Sequence, residues 1–443
     1  MVSDGANDEA VIERRTMDII ADLRWRGLIH QSTDEAGLPG WLAAAPRSLY
    51  VGFDPTADSL HVGHMMGLMT LRRFQRAGHR PIALVGGATG MIGDPSGKSE
   101  ERNLLSLEVL RANVAATESQ MRSFLDFSGS SAAAVVNNYD WMSRFGYLDF
   151  LRDVGKHFPV NVMLAKDSVK ARLERTDSGL SYTEFSYMLL QAYDFVHLAE
   201  QYDCHLQAGG SDQWGNITAG IDLARRLRGI QLFGITWPLL TKNDGSKMGK
   251  TESGAIWLSP ARTSPYQFYQ YWINVEDADA GNCLRFLTEL PHDEIESLDA
   301  ARAANPGARE SQRRLAEEIT RLVHGESGLT SARRATEIFF GAEIGRLSDA
   351  QLVEIFADVP SKTLPRSRLE GAGLNVVDAF IETGLAKTKG EARRTIEQGG
   401  AYINNRRIEA IDHMLTAADL ASETVMVLRS GRKKYALLRF AGS

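Results

Sequence analysis

Only two cysteines, Cys204 and Cys283, occur in 443 residues, and neither belongs to a Cys-x-x-Cys pair. That excludes a disulfide framework and a cysteine-built zinc site, and it fits a reducing compartment. Long hydrophobic runs are missing too: no stretch of 18 apolar residues reads as a membrane span. The opening residues, MVSDGANDEAVIERR, are acidic and polar, whereas a secretory signal is basic and then apolar. The expected location is therefore the cytoplasm, with no membrane partner. A general excess of positive charge is also absent, since 50 Lys and Arg face 56 Asp and Glu for a net charge of −6. The distribution is uneven: residues 374–443 carry 11 Lys and Arg against 8 Asp and Glu, which leaves −9 on the remainder. An acidic body with a mildly basic end suggests a separate module with its own partner.

With 43% apolar and 24% charged residues, the chain has the make-up of a globular protein, and its length allows two or three domains. SLYVGF (48–53) reads as a strand, the periodic stretch 60–77 before Gly78 as a helix, and RPIALVGG (80–87) as the next strand. Strand, helix and strand in succession make a βαβ unit and predict a parallel sheet. Further strands are expected at 132–141, 204–210 and 234–240. A long helix fills 182–202, opened by the S-x-x-E spacing of Ser181 and Glu184. After residue 260 the pattern becomes helical and amphipathic, as in SQRRLAEEITRLVHG (311–325). VPSKTLPRSRLEGAG (359–373), broken by two prolines, reads as a linker. The expected fold class is α/β: a Rossmann-like parallel-sheet domain over 1–258, an α-helical domain over 259–356, a linker at 357–373 and a small α+β domain over 374–443.

The decapeptide PTADSLHVGH (55–64) sets Gly63 between His61 and His64 at the start of the first helix. A helix N-terminus following the first strand of a parallel sheet attracts phosphate and lies where such sheets bind ligands. Gly63 permits close approach of a ring or a phosphate, and two imidazoles at i and i+3 share one face. They can donate hydrogen bonds to phosphoryl oxygens that gain charge in a transition state. Zinc would need a third and a fourth ligand that no nearby residue supplies, so no bound metal is expected. A polar surface turn remains an alternative. A second signal lies in KNDGSKMGKTESG (242–254), where Lys247 and Lys250 occupy a glycine-rich loop after a strand. Mobile lysines suit a triphosphate, although a solvated loop would look similar. The combination of an H-x-G-H helix start with a K-M-x-K loop is far rarer than either alone.

In the helix 182–202, Tyr187, Gln191 and Asp194 fall at i, i+4 and i+7 on one face. Their neighbours are apolar almost all round, which buries the helix. A buried Gln and Asp need partners, from an internal network or from a ligand.

At these motifs the sequence resembles the class I aminoacyl-tRNA synthetases, and more narrowly the bacterial tyrosyl-tRNA synthetases. YVGFDPTADSLHVGH, ALVGGATGMIGDPSGK, EFSYMLLQAYDF, GGSDQWGNI and DGSKMGKT carry the resemblance, which runs from about residue 12 to the end. It implies two reactions, activation of L-tyrosine by ATP, with magnesium, and transfer of the tyrosyl group to tyrosine tRNA. It implies that Tyr187, Gln191 and Asp94 receive the tyrosine ammonium group and that Tyr50 and Asp194 bind its hydroxyl. Gln207 and Gln213 would line the carboxylate side. Gly52, Asp54, Thr56, Gly63, Gly210 and Asp212 would serve ATP; Lys98 and Arg102, in a charged loop, could hold the pyrophosphate or the tRNA end, with an ordinary solvated loop as the alternative. His61, His64, Lys247, Lys250 and Thr251 would act on the phosphates. Where the class-wide lysine loop has serines, this chain has Gly249 and Thr251, and Val51 replaces a cysteine seen in some relatives. The family implies a homodimer, for which the aromatic run NNYDWMSRFGYLDFL (137–151) is the candidate surface, with a core role as the alternative. It also implies an anticodon-binding role for the helical domain.

The end of the chain pairs a short apolar helix with a basic one, followed by AYINNRRI, a strand with an Asn-Asn turn. It resembles a small RNA-binding module shared with a ribosomal small-subunit protein. Lys387, Lys389, Arg393, Arg394, Arg406 and Arg407 are then its expected phosphate contacts, against the alternative of an ordinary solvated face. Two rivals to the tyrosyl reading are a tryptophan-specific synthetase and a non-catalytic RNA-binding relative. The hydroxyl partners Tyr50 and Asp194 argue against the first, and the intact histidines and lysines against the second.

Overall fold

The computed structural model describes residues 18–96, 106–166, 169–170, 173, 180–251, 254–345, 347–356, 359–432 and 434–442, with the backbone alone for Lys250 and Thr251. Lys98 and Arg102 lie outside the described residues. The chain forms two units, one of Met1–Arg262 with Ile273–Val323 and one of Thr263–Trp272 with His324–Ser443.

The first unit is built on six strands, β1 (Gln31–Ser32), β2 (Ser48–Phe53), β3 (Arg80–Val85), β4 (Ala134–Asn137), β5 (Cys204–Gly210) and β6 (Phe233–Trp237). Their order is β1-β6-β5-β2-β3-β4, parallel throughout except for β1, which runs antiparallel to β6. β2 is buried along most of its length, as befits a central strand covered on both faces. From β2 the chain passes through helix α1 (Met65–Arg76) to β3, moves outward to β4, and returns to the other flank of β2 with β5 and β6. The order therefore reverses between β2 and β5. In an open parallel sheet, the crevice beyond the strand ends at such a point is where ligands bind.

Boundaries differ from the sequence reading where local chemistry intervenes. The helix expected from residue 60 begins as a 3-10 turn, Val62–His64, before α1. β6 stops at Trp237 because Pro238 has no N–H to donate to a ladder. β4 is confined to four residues, and Tyr139–Met142 turns helical. Helix α2 (Tyr182–Tyr202) has the expected bounds, with Ser181 Oγ accepting from Glu184 N at 3.2 Å. It packs along helix α3 (Trp214–Arg228).

Helix α4 (Asp277–Leu287) is tied to α1 from below. Arg73 of α1 is fully buried, and its Nη2 donates to the carbonyls of Arg285, Phe286 and Thr288 at 3.2, 2.9 and 2.8 Å. Cations satisfy the orphan carbonyls at a helix end in this way. Burial and the neighbouring Arg26 guanidinium pull the Arg73 pKa down to about 9.

The second unit corrects the expected domain divisions. Residues 359–373 are folded and do not act as a linker: β9 (Ser361–Pro365) pairs in parallel with β15 (Lys434–Ala441), from Ser361 opposite Leu437 to Pro365 opposite Ala441. Pro365 is tolerated because β9 is an edge strand. The sheet order is β12-β11-β14-β15-β9, with β11 (Ala401–Ile403), β12 (Arg406–Arg407) and β14 (Val425–Ser430). Along β14, Val425 and Val427 share one core with Ala335, Ile338, Leu352 and Phe356, whereas Met426 and Leu428 share another with Phe380 and Ile396. This is the period of two expected of a strand. It shows that residues 335–356, read as part of a separate helical domain, cover one face of this sheet. The Asn-Asn turn is present: Asn404 and Asn405 have φ of 49° and 63°, and Asn405 Nδ2 donates to the carbonyls of Ile338 and Ala342, both at 2.8 Å.

Among the described residues no helix is long and apolar enough to cross a membrane, and no group of three His, Cys, Asp or Glu could hold a metal ion.

Candidate active site

The site gathers at the carboxyl ends of β2, β3, β4 and β5 and against one face of α2. Beyond β2, the HVGH turn is folded on itself. His61 Nδ1 accepts from Gly63 N at 3.0 Å, and His64 Nδ1 accepts from His61 N at 3.1 Å. The two ring centroids lie 4.0 Å apart. With each Nδ1 held as an acceptor, each neutral imidazole carries its proton on Nε2 as a donor. A Cβ on Gly63 would lie 2.9 Å from His61 Cε1. The small residue between the histidines therefore makes room for the chain's own ring.

Asp194 is buried on α2. Trp141 Nε1 donates to its Oδ1 at 2.8 Å and Asn138 Nδ2 to its Oδ2 at 3.0 Å. Burial pushes the Asp194 carboxyl up to about 7, the two donors only partly opposing it. Beside it Tyr50 lies in β2, also fully buried, and its hydroxyl has no hydrogen-bond partner. Burial first, and then the Asp194 charge, raise the Tyr50 hydroxyl well above its ordinary value. It stays a neutral donor.

A second polar cluster connects α2 to the turn before α3. Gln213 Oε1 accepts from Gln191 Nε2 at 3.3 Å and from Asn216 Nδ2 at 3.1 Å, and Gln213 Nε2 donates to Asp94 Oδ2 at 2.7 Å. That fixes the amide orientations and leaves Gln191 Oε1 as a buried acceptor without a partner, as is Gln207 Oε1 on β5. Asp54 accepts from Thr89 Oγ1 at 2.8 Å and from the Tyr187 hydroxyl at 3.0 Å. The Tyr187 oxygen keeps lone pairs for another donor. Asp212, in the 3-10 turn Ser211–Gln213 after Gly210, has its carboxyl raised by burial and by Asp94, with Lys247 opposing. Gly52 and Thr56 are exposed on the approach from β2.

The lysine loop lies against the HVGH turn. Val62 N donates to Ile256 O at 3.0 Å and Ile256 N to Gly249 O at 2.8 Å, and His61 bridges to Trp257. Lys247 is exposed, whereas the adjacent Met248 is buried. Lys250 and Thr251 form β7 of a hairpin with β8 (Gly254–Ala255). Apart from Lys98 and Arg102, the expected residues of the first unit thus lie at the carboxyl ends of the strands, on α2 and in the lysine loop, with only the backbone described for Lys250 and Thr251.

Four contributors escaped the sequence reading: Asn138, Trp141, Thr89 and Asn216. Each orients a residue that was read, and their only signal was position, just past a strand end or at the start of a helix. In the run 137–151, Trp141 is core, whereas Tyr147 and Leu148 are 66% and 77% exposed.

In the second unit all six expected basic residues are exposed. Lys389, Arg393 and Arg394 sit on the helix Lys389–Glu397, and Arg407 lies against Gly399 just beyond it. Arg406, one residue before Arg407 on β12, projects from the opposite face and pairs with Glu343 at 3.3 Å. It stands apart from the other five.

Comparison with known proteins agrees with this geometry. The family described as tRNA synthetases class I (W and Y) matches residues 43–341, and the Tyrosine--tRNA ligase SYY-like C-terminal domain matches residues 351–438. A tyrosine–tRNA ligase of Rhodopirellula baltica is 62% identical over 96% of this chain and 97% of its own. One from Roseiflexus castenholzii is 55% identical over 95% and 99%. The crystal structure of a C-terminally truncated mitochondrial tyrosyl-tRNA synthetase from Aspergillus nidulans superposes with a TM-score of 0.66 at 30% identity, covering 74% of this chain and 96% of that one. With its two signature segments closed on one another at the switch point of a parallel sheet, the chain belongs to the class I tRNA synthetases of the tryptophan and tyrosine type, among the tyrosine–tRNA ligases.

Proposed function

We propose that this pocket binds L-tyrosine and ATP, forms tyrosyl-adenylate, and passes the tyrosyl group to tyrosine tRNA. The observation that carries the reading is the set of buried, unpartnered polar atoms, Tyr50 Oη, Gln191 Oε1 and Gln207 Oε1. An unsatisfied buried polar group costs about 1–3 kcal/mol, so a cluster of them at a crevice invites a ligand with matching groups. The tyrosine ammonium group supplies donors to Gln191 Oε1, the Tyr187 oxygen and Asp94. Its phenolic hydroxyl donates to Asp194 and accepts from Tyr50. Phenylalanine leaves the Tyr50 hydroxyl unpaired and brings Asp194 no donor beyond Trp141 and Asn138; rejection for want of a hydroxyl is the very case for which tyrosyl-tRNA synthetase is the standard example. Indole likewise has no oxygen to place there, which disfavours tryptophan.

In the first step a carboxylate oxygen of tyrosine attacks the α-phosphorus of ATP, the P–O bond to the β-phosphate breaks, and pyrophosphate leaves. No side chain acts as a nucleophile. Catalysis comes from positioning and from donors aimed at the developing charge, the Nε2–H groups of His61 and His64 with Lys247 and Lys250. ATP enters as its magnesium complex, with Asp212 on the ribose and Gly52, Asp54, Thr56, Gly63 and Gly210 shaping its path. In the second step a hydroxyl of the terminal tRNA ribose attacks the mixed anhydride and AMP leaves.

The exposed Tyr147, Leu148, Val160, Val162 and Tyr182 support a homodimer, since an apolar patch of that kind suits a second copy. The cluster around Lys387, Lys389, Arg393, Arg394 and Arg407 supports phosphate contacts with tRNA. Two buried free thiols, Cys204 and Cys283, suit the cytoplasm. The test is aminoacylation: purified protein, ATP and unfractionated tRNA with labelled tyrosine or tryptophan. Labelled tRNA with tyrosine alone is expected; tryptophan charging, or none, would refute the proposal.

A further inference from the structure

We infer that Gly249 is a positioning residue, the side-chain-free point at which the lysine loop closes onto the HVGH turn. Two observations carry it. Gly249 has φ of +80°, in the left-handed region that a serine, found here in the class-wide pattern, enters only with strain. It is also buried, and a Cβ built on it would lie 2.9 Å from Val62 Cβ and 3.2 Å from Val62 Cγ1. Either fact alone could be met by a small shift, but together they leave room for glycine and nothing larger.

The surrounding bonds show what this contact does. On its outer side the loop is anchored: Met248 N donates to Leu240 O at 3.0 Å, Asn243 N to Asp279 Oδ1 at 2.8 Å, and Met248 Sδ lies 3.4 Å from Cys283 Sγ on α4. On its inner side Gly249 O accepts from Ile256 N, and Ile256 O accepts from Val62 N. Leu258 N continues the ladder to Leu60 O at 2.8 Å. The loop backbone thus rests on the residue between His61 and Gly63, with Lys247 and Lys250 on either side of the contact. A side chain at 249 would lift the loop from the turn and carry both lysines away from the two imidazoles. Gly63 completes the fit, because it lets the His61 ring fold beneath this contact.

The inference rests on the proposal that the loop serves ATP, and the experiment separates the two. Asparagine accepts left-handed backbone better than other side chains, so Gly249→Asn tests the contact rather than the φ angle. Wild type, Val62→Gly, Gly249→Asn and the double variant would be compared by amide hydrogen exchange over residues 247–258 and by the KM values for ATP and tyrosine. Gly249→Asn is expected to speed exchange at Ile256 and raise the KM for ATP by about tenfold each, the lower range of what overpacking a tight contact produces. The KM for tyrosine should stay within about twofold, which also shows that the variant folds. Removing the Val62 wall, Cβ included, in the double variant should return both quantities to within about threefold of Val62→Gly alone. Wild-type exchange in Gly249→Asn, or a double variant as impaired as the single, would overturn the inference. Faster exchange with an unchanged KM for ATP would uphold the docking contact and remove the loop from ATP binding.

Discussion

Trp141→Phe deletes one hydrogen-bond donor from the pocket while keeping an aromatic ring in place. The indole N–H donates to Asp194 Oδ1 at 2.8 Å, and burial already holds that carboxyl at about 7. A hydrogen bond to a charged group contributes about 1.5–3 kcal/mol, and each pKa unit corresponds to about 1.36 kcal/mol. Removing the donor should therefore raise the Asp194 pKa by about one to two units, to about 8–9. In the proposed site the tyrosine hydroxyl donates to the ionised carboxylate, so tyrosine affinity should follow the ionised fraction. At pH 7.5 that fraction is about three quarters in the wild type and falls to between about a quarter and a thirtieth in the variant. The KM for tyrosine should rise by about 3- to 25-fold at that pH, and the gap from wild type should narrow as the pH rises towards about 9, below the range in which the substrate's own phenol ionises. The assay is the pH dependence of the KM for tyrosine and for phenylalanine in pyrophosphate exchange. Phenylalanine, lacking the hydroxyl, should show no shift in midpoint. An unshifted midpoint for tyrosine, or an equal effect on both amino acids, would show that Trp141 acts by packing and not through Asp194.

The same carboxyl sets a pH dependence of stability in the protein without ligand. Its folded pKa lies above the ordinary value of 3.8, so between about pH 4 and pH 7 the native state binds more protons than the unfolded one, and its contribution to stability is lost as pH rises through that window. Removing Asp194 as Asp194→Asn should flatten this part of the denaturation profile, and an unchanged slope would argue against the shift. His64→Ala should slow adenylate formation by about 10²-fold or more, the scale of a lost transition-state donor, with tyrosine binding little changed. Pre-steady-state fluorescence or quench flow would check it, a near-normal rate removing His64 from the mechanism. Replacing Lys387, Arg393 and Arg394 by alanine should leave pyrophosphate exchange intact, weaken tRNA binding, and reduce the slope of log affinity against log salt by about 2–3. An unchanged slope would show an ordinary solvated face.

The sequence made the sheet legible because strand and helix periods are short-range patterns, whereas most of the pocket assignments came from the resemblance to the synthetase family. Alternating strand and helix periods give β2, α1 and β3 directly, and the burial of Tyr187 and Asp194, with the half-buried Gln191 between them on one face of α2, follows from an apolar helix carrying polar residues at i, i+4 and i+7. The residues that orient them were not legible. Trp141 and Asn138 reach Asp194 from more than 50 positions away, and nothing local marks an indole or an amide as a donor to a distant carboxylate. The fold of residues 359–373 was hidden for a related reason. Two prolines and scattered glycines look like a linker, yet an edge strand such as β9 accepts Pro365 at its end and owes its register to β15, some 70 residues later. Gly249 is a third case: the motif shows a departure from the usual serine, and only the approach of Val62 gives the departure a reason.

The central claim is that the unpartnered Tyr50 hydroxyl, together with Asp194, recognises the hydroxyl of tyrosine. The most direct test is the ratio of kcat/KM for tyrosine to that for phenylalanine in ATP–pyrophosphate exchange, measured for wild type and Tyr50→Phe. A site built around a substrate hydroxyl should favour tyrosine by about 10⁴-fold or more, and loss of one uncharged partner should reduce that ratio by about tenfold. An unchanged ratio in Tyr50→Phe, or wild-type exchange that phenylalanine or tryptophan supports as well as tyrosine does, would contradict the account.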